Sequence, residues 1–221
     1  MTSTATVLLE DRDPHALPPD RAAALLADAP WRRLAVLGDS VAAGLRGPCP
    51  GYRDRSWADR LADALAPDRY DNLGVRDLRT AEIREQQLDR ALALTPDLVV
   101  VAAGGNDALS RRFDPVALRR ELRALLEPLA ASGAQLVTIG LFDLPRSGLL
   151  PAPLGDRLAE SFDLLDALTR QLADDLGAIH VDGHRHPLAA DPGIFADDRM
   201  HANARGHAIA AAGVVRALAA A

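Results

Sequence analysis

Residues 98–107, LVVVAAGGND, decide how this chain folds. Leu98 to Val101 is an uninterrupted apolar run, too short for a helix and rich in β-branched residues, so it reads as a strand buried on both faces. Pro96 stands before it. Directly after it come two glycines, an amide and a carboxylate. Working outward, the same pattern recurs: a short apolar run, a polar or glycine-rich turn, then a helix-spaced segment. Leu34 to Leu37 is the first such strand, and Trp57 to Leu65 follows with Trp57, Leu61 and Leu65 on one helical stripe. Tyr70 to Leu73 reads as a second strand. Thr80 is a candidate cap for a helix through about Leu94. Asp114-Pro115 pairs a capping carboxylate with a first-turn proline. It predicts a helix to about Ser132, stopped by Gly133 and kinked or shortened at Pro128. Leu136 to Ile139 and Ala178 to Val181 are two more strands, with residues 156–176 helical between them. Leu141 to Leu154 reads as a long loop. Asn203 caps a last helix to about Ala220. Residues 1–30 form an arm whose first 19 residues read as irregular, followed by a short helix from Arg21 to Ala29 capped by Asp20. Residues 31–221 form the main domain.

Strand and helix in alternation predict an α/β fold, with a parallel sheet covered by helices on both faces. Ligands of such sheets bind beyond the carboxyl ends of the strands. The length of 221 residues suits one domain, and 48% hydrophobic residues suffice for a core. Only 4% are aromatic, so Ala, Leu and Val must fill it. The 25 basic residues are all arginines, interspersed with 31 acids for a net charge of −6. No basic stripe points to nucleic acid. The single cysteine, Cys49, excludes an internal disulfide. No apolar run is long enough to span a membrane, and the amino-terminal residues do not read as a secretory signal. A soluble cytoplasmic protein is expected.

Four chemistry-bearing segments fall after strands: Gly38-Asp39-Ser40, the turn after Leu73, Gly104 to Asp107, and Asp198 to His201. They should meet at one sheet edge. A hydroxyl, an imidazole, a carboxylate and an amide suit acyl transfer. Ser40 needs a base to take its proton, His201 can supply it, and Asp198, three residues earlier, can orient the ring. The Ser40 backbone N–H and the Asn106 amide are candidate oxyanion donors. Gly104 and Gly105 let backbone pass close to a substrate, and Gly105 and Asp39 are candidate substrate-binding residues. Asp39 and Asp107 read mainly as braces of their turns. Asp182, His184 and His186 carry metal-ligand chemistry on one loop without a fourth ligand; no metal is expected. His207 reads as a packing or capping residue. The arginines between Arg46 and Arg60, and Arg146, read as solvated surface, with recognition of an acidic substrate group the alternative.

The segments VLGDSVAAG (36–44), YDNLGVRDL (70–78), VVVAAGGNDAL (99–109) and ADDRMHANARGH (196–207) resemble the SGNH, or GDSL-type, hydrolases. The resemblance covers about Trp31 to the C-terminus. It implies a flavodoxin-like three-layer α/β/α fold with sheet order 2-1-3-4-5. It also implies hydrolysis of an ester, thioester or acetylated sugar, a small-molecule acyl substrate, through a serine acyl-enzyme without metal or other cofactor. Ser40 matches the nucleophile, Asn106 the oxyanion amide, His201 the base and Asp198, rather than Asp197, its acid. Residue 42 is Ala, so the serine is not in a GxSxG elbow. Transfer of the acyl group to an alcohol or amine on the same triad is the alternative reaction. A weakly active binding protein is the other alternative. It arises because the family's third oxyanion donor is a glycine five residues after an asparagine, and from Asn72 that position is Asp77. Gly74 lies nearby. A carboxylate ~5 Å from the oxyanion at an effective dielectric of ~20 would cost roughly 3 kcal/mol, about a hundredfold in rate. The segments Leu141 to Leu154 and Arg46 to Ser56 are expected to line the acyl pocket.

Overall fold

The computed structural model describes residues 8–221. Five strands form one parallel sheet: β1 (Arg33–Gly38), β2 (Arg69–Asn72), β3 (Leu98–Ala102), β4 (Gln135–Ile139) and β5 (Ile179–Val181). Their order is β2-β1-β3-β4-β5, as the resemblance implies. The helices are α1 (Pro19–Leu25), α2 (Trp57–Leu65), α3 (Thr80–Ala93), α4 (Gly105–Ala108), α5 (Pro115–Ala131), α6 (Ala152–Asp175) and α7 (Ala204–Ala219).

The two-residue period of a strand divides the core. On β1, Leu34 and Val36 face α2 and α7, while Ala35 and Leu37 face α3 and α5. On β3, Leu98, Val100 and Ala102 join the first cluster, and Val99 and Val101 the second. Both faces are covered, which is why these strands read as continuous apolar runs rather than alternating ones. Aliphatic helix stripes complete each layer, such as Leu118, Leu122, Leu125 and Leu129 on α5.

Several boundaries differ from the sequence reading, each for a local reason. Thr80 is the first residue inside α3, not its cap; Arg79 holds the cap position and Glu82 accepts its N–H. The Thr80 N–H and hydroxyl both donate to Asp107 Oδ2, each at 2.9 Å. Asp20 does not cap α1 either, since Pro18 precedes the helix, which ends at Leu25. Pro128 does not shorten α5, which runs on to Ala131 with Leu129 fully buried. The stretch expected as a loop from Leu141 to Leu154 contains a 3-10 turn, Leu144–Arg146, and ends where α6 begins at Ala152. The caps Ser56, Asp114 and Asn203 each accept backbone N–H groups of the helix they start.

The described part of the arm is tied to the body by charge. Leu9–Arg12 is a 3-10 turn that buries Glu10 completely, where its carboxylate accepts from Arg53 and Arg60. The Asp13 carboxylate accepts from Tyr52 and Arg205. Glu10 is fully buried and Arg60 nearly so, and removing one partner of such a pair strands the other charge, which costs about 3–5 kcal/mol. Glu10→Ala is therefore expected to lower unfolding stability by about 3 kcal/mol in urea titrations; a change below about 1 kcal/mol would show that the arm adds little.

Candidate active site

The site starts at Gly38, the last residue of β1. Its φ is +145°, and a Cβ there would lie 1.9 Å from the Ala102 carbonyl oxygen. Only glycine allows β1 to leave the sheet this close to β3. The buried Gln87 amide of α3 then completes the strand end. Its Oε1 accepts from the Gly38 N–H at 2.9 Å, and its Nε2 donates to the Gly38 carbonyl at 2.9 Å. Asp39 folds back so that Oδ1 accepts the Val41 N–H at 2.9 Å. Burial pushes the Asp39 carboxyl up to about 6 despite that bond. Ser40 follows, 8% exposed. The Val41 carbonyl accepts Trp57 Nε1–H at 2.7 Å, and the Trp57 N–H donates to His207 Nδ1 at 3.0 Å. The other ring nitrogen of His207 donates to the Leu45 carbonyl at 3.1 Å. Burial pushes His207 down to about 4, so the ring is neutral and holds this turn against α2 and α7.

His201 arrives from the far end of the chain on a tight turn. Ala196 N–H donates to the His201 carbonyl, and Arg199 takes φ +55° between them. Asp198 Oδ1 accepts the N–H groups of Met200 and His201, both at 3.0 Å. Its Oδ2 lies 2.6 Å from His201 Nδ1, and His201 Nε2 lies 2.9 Å from Ser40 Oγ. Partial burial would raise the Asp198 carboxyl, but the hydrogen bonds from His201 and the backbone outweigh it and hold it below its ordinary value. An ionised carboxylate only accepts, so Nδ1 carries the proton and Nε2 presents its lone pair to the serine hydroxyl. The neighbouring Asp197 is exposed and makes no hydrogen bond to the ring. Asn203 secures the turn, accepting from Arg205 and Gly206 N–H and donating to the Gly193 and Phe195 carbonyls.

Asn106 and Asp77 reach the same cavity as Ser40 and His201. Asn106 Nδ2 donates to the Leu78 carbonyl at 2.9 Å and approaches Asp39 Oδ2 at only 3.4 Å. Among the described residues, the N–H groups of Ser40 and Asp77 have no hydrogen-bond partner. Asp77 has φ +66°, the left-handed conformation that glycine adopts most readily and Asp tolerates. Its side chain is 77% exposed and paired with Arg76 at 3.0 Å. Gly74 serves a different need. A Cβ there would lie 2.4 Å from the Ala43 nitrogen, so it lets the turn after β2 pack on the serine loop.

A model of the GDSL-like lipase/acylhydrolase family matches residues 36–209. The chain belongs to that family. Membership makes it a hydrolase with esterase activity. Solved structures share the fold. TesA is 25% identical, with 84% of this chain and 97% of that one covered and a TM-score of 0.65. Axe2, an acetylxylan esterase from Geobacillus stearothermophilus, is 17% identical, with 85% and 94% covered and a TM-score of 0.68. The esterase EstA from Pseudoalteromonas sp. is 21% identical, with 84% and 96% covered and a TM-score of 0.61. Catalytic mutants of Axe2 replace a serine, an aspartate and a histidine. No curated protein matches the chain. Among the described residues, no helix is long and apolar enough to cross a membrane.

Other residues of this GDSL-family chain lie apart from their expected partners. Asp182, His184 and His186 do not converge. His184 Nε2 meets Asp163 at 3.0 Å, and the His186 ring meets His15 and Phe142 edge-on. Asp182 instead approaches Asp166 and His180. Arg170 binds an oxygen of each of those two carboxylates, so the cation in that cluster is its guanidinium. The arginines between Arg46 and Arg60, and Arg146, are paired with acids of the protein and do not line the cavity. None of them is placed to read an acidic group of a substrate in that cavity.

The Asp39 environment has a measurable consequence. Its folded pKa lies above the unfolded one, so the native state binds the extra proton between about pH 4 and 6. Stability from this group is greatest below pH 4 and is lost as pH rises to about 6. Asp39→Asn should thus raise Tm at pH 8, by an amount equivalent to roughly 2–3 kcal/mol, and change it little at pH 4. Equal shifts in thermal denaturation at both pH values would refute this assignment.

Proposed function

We propose that this chain cleaves a carboxylic ester or thioester through an acyl-enzyme on Ser40. The observation that carries the reading is the unbroken line Asp198 Oδ2–His201 Nδ1, His201 Nε2–Ser40 Oγ, at 2.6 and 2.9 Å. His201 Nε2 takes the hydroxyl proton as Ser40 Oγ attacks the acyl carbon. The tetrahedral oxyanion is held by the Ser40 N–H, the Asn106 amide and the Asp77 N–H. His201 then passes its proton to the departing alkoxide or thiolate. In the second half, His201 deprotonates a water that attacks the acyl carbon, and the proton returns to Ser40. Asp198 stays ionised throughout, keeping the ring in the productive tautomer and stabilising the imidazolium. Asp39 acts through the shape of its turn, and Gly105 contacts substrate through its backbone at the cavity wall.

Asp77 fits this scheme as a backbone donor. Positive φ is retained where the family has glycine, and the carboxylate turns out to Arg76, so the repulsion expected for an inward carboxylate does not apply. A weakly active binding protein is disfavoured on the same ground. Water and an alcohol or amine acceptor use the same geometry, and product analysis with an added acceptor separates hydrolysis from transfer.

A fluorophosphonate probe should give a single adduct on the Ser40 peptide, absent in Ser40→Ala; a well-folded wild type that takes up no probe refutes the proposal. Asp198→Asn should lower kcat on an aryl ester by about 10³–10⁴-fold. Asp77→Gly should leave kcat within about threefold of wild type, since the side chain it removes faces solvent; a gain near a hundredfold would show that the carboxylate opposes the oxyanion.

A further inference from the structure

The cavity beside Ser40 does not end at the triad. It measures about 400 Å³ and continues past the carboxyl ends of β4 and β5 beneath the first half of α7. On α7 it is lined by Gly206, Ile209, Ala210 and Gly213, spaced i, i+3, i+4, i+7 on one helix face, and beside them by His207, whose ring nitrogens are taken by the Trp57 N–H and the Leu45 carbonyl. Glycines inside a helix cost about 1 kcal/mol each relative to alanine, so each needs a reason. Gly206 has one in packing, because a Cβ would lie 2.5 Å from the Ile194 carbonyl oxygen. At Gly213 a Cβ would meet only Val181 Cγ1, at 3.2 Å. Its missing side chain lets α7 pack closely on Val181 of β5 at the cavity floor. The facing wall is Ile139 and Val181, 6% and 7% exposed.

The titratable groups on this arm are already engaged. Asp182 Oδ2 accepts from Arg170 and Oδ1 from the Arg185 N–H. His186 Nδ1 accepts the Leu188 N–H, and burial pushes that ring down, toward its neutral form. The opposite end of the cavity is different. Arg76, Asp77 and Met200 there are exposed to solvent. A leaving group must depart from the acyl-enzyme before water can enter, so the open end suits the leaving group and the enclosed arm suits the group that stays.

We infer that the arm under α7 holds the acyl chain of the substrate, and that this chain is an unbranched aliphatic one of medium length rather than acetyl. The α7 face from Gly206 to Gly213 spans about 10 Å, roughly the length of eight methylenes. The inference rests on the Ser40 acyl-enzyme reading.

The test is kcat/KM for p-nitrophenyl esters from acetate to dodecanoate, alongside alkyl acetates in which only the alcohol lengthens. Burial of each methylene should raise kcat/KM about fourfold, up to about eight carbons, with less than about threefold variation across the alkyl acetates. Ala210→Leu should cut the octanoate-to-acetate ratio at least tenfold. Should that variant not fold, Val181→Ala, which deepens the floor, should move the optimum to longer chains. Acetate preferred by a wild type that fluorophosphonate still labels on Ser40 would overturn the inference and leave the acyl-enzyme standing. A ratio unmoved in folded variants, or chain-length dependence only on the alcohol side, would also overturn it. Loss of both labelling and hydrolysis would remove the acyl-enzyme reading and this inference with it.

Discussion

Gly38 and Gln87 set the geometry on which the rest of the site depends. A strand that leaves a parallel sheet must satisfy the N–H and carbonyl it takes out of the ladder. Here one buried amide satisfies both, and the absence of a Cβ lets Gly38 sit against the Ala102 carbonyl. Gln87 lies on α3, and α3 is anchored at its first residue by Asp107, next to Asn106. One connected set of contacts thus positions the Ser40 turn, the α3 start and the Asn106 turn relative to each other. The Trp57 and His207 bonds do the same from the other face of the sheet. Preorganised donors of this kind lose nothing to rearrangement when charge develops.

Four aspartates in one small region behave in four ways because their surroundings differ. Asp39 is sealed from water and its carboxyl is pushed up. Asp198, half open to solvent, accepts three hydrogen bonds and is held down. Asp107 is consumed by the start of α3. Asp77 contributes backbone shape and directs its charge to Arg76. Residue type alone assigns none of these roles; burial and donor count assign them all.

The sheet also gives the site two unlike sides. Near β2 and the start of α3 the cavity is open and bordered by the exposed charges of Arg76 and Asp77. Toward β5 and α7 it is walled by Ile139, Val181, Ile209, Ala210 and Gly213, and the Asp182 and His186 side chains there are already hydrogen-bonded within the protein. On a shared fold, specificity lies in the residues of the site rather than in the architecture. The GDSL-like match ends at residue 209, so Ala210 and Gly213 lie beyond the segment that the family model describes.

The sequence by itself determined the strands, the layer architecture and the residues that meet at Ser40. Apolar runs mark strands buried on both faces, and the Asp198–His201 spacing is a local one that a single turn converts into a hydrogen bond. Caps such as Asp114 and Asn203 were legible for the same reason. Tertiary structure decided what depends on side-chain direction across long separations. Gln87 reaches Gly38 across 49 residues, and nothing near it in the chain marks it. Of the two segments expected to line the pocket, Leu141, Phe142 and Leu144 do border the cavity beside Ser40, whereas Arg46 to Ser56 is drawn to its own acids and to Glu10. The conformation of Asp77 and the destination of its carboxylate were likewise set by the turn it occupies. A residue's neighbours in the chain fix its element; only the packed neighbours, brought together by burial, fix where its atoms point.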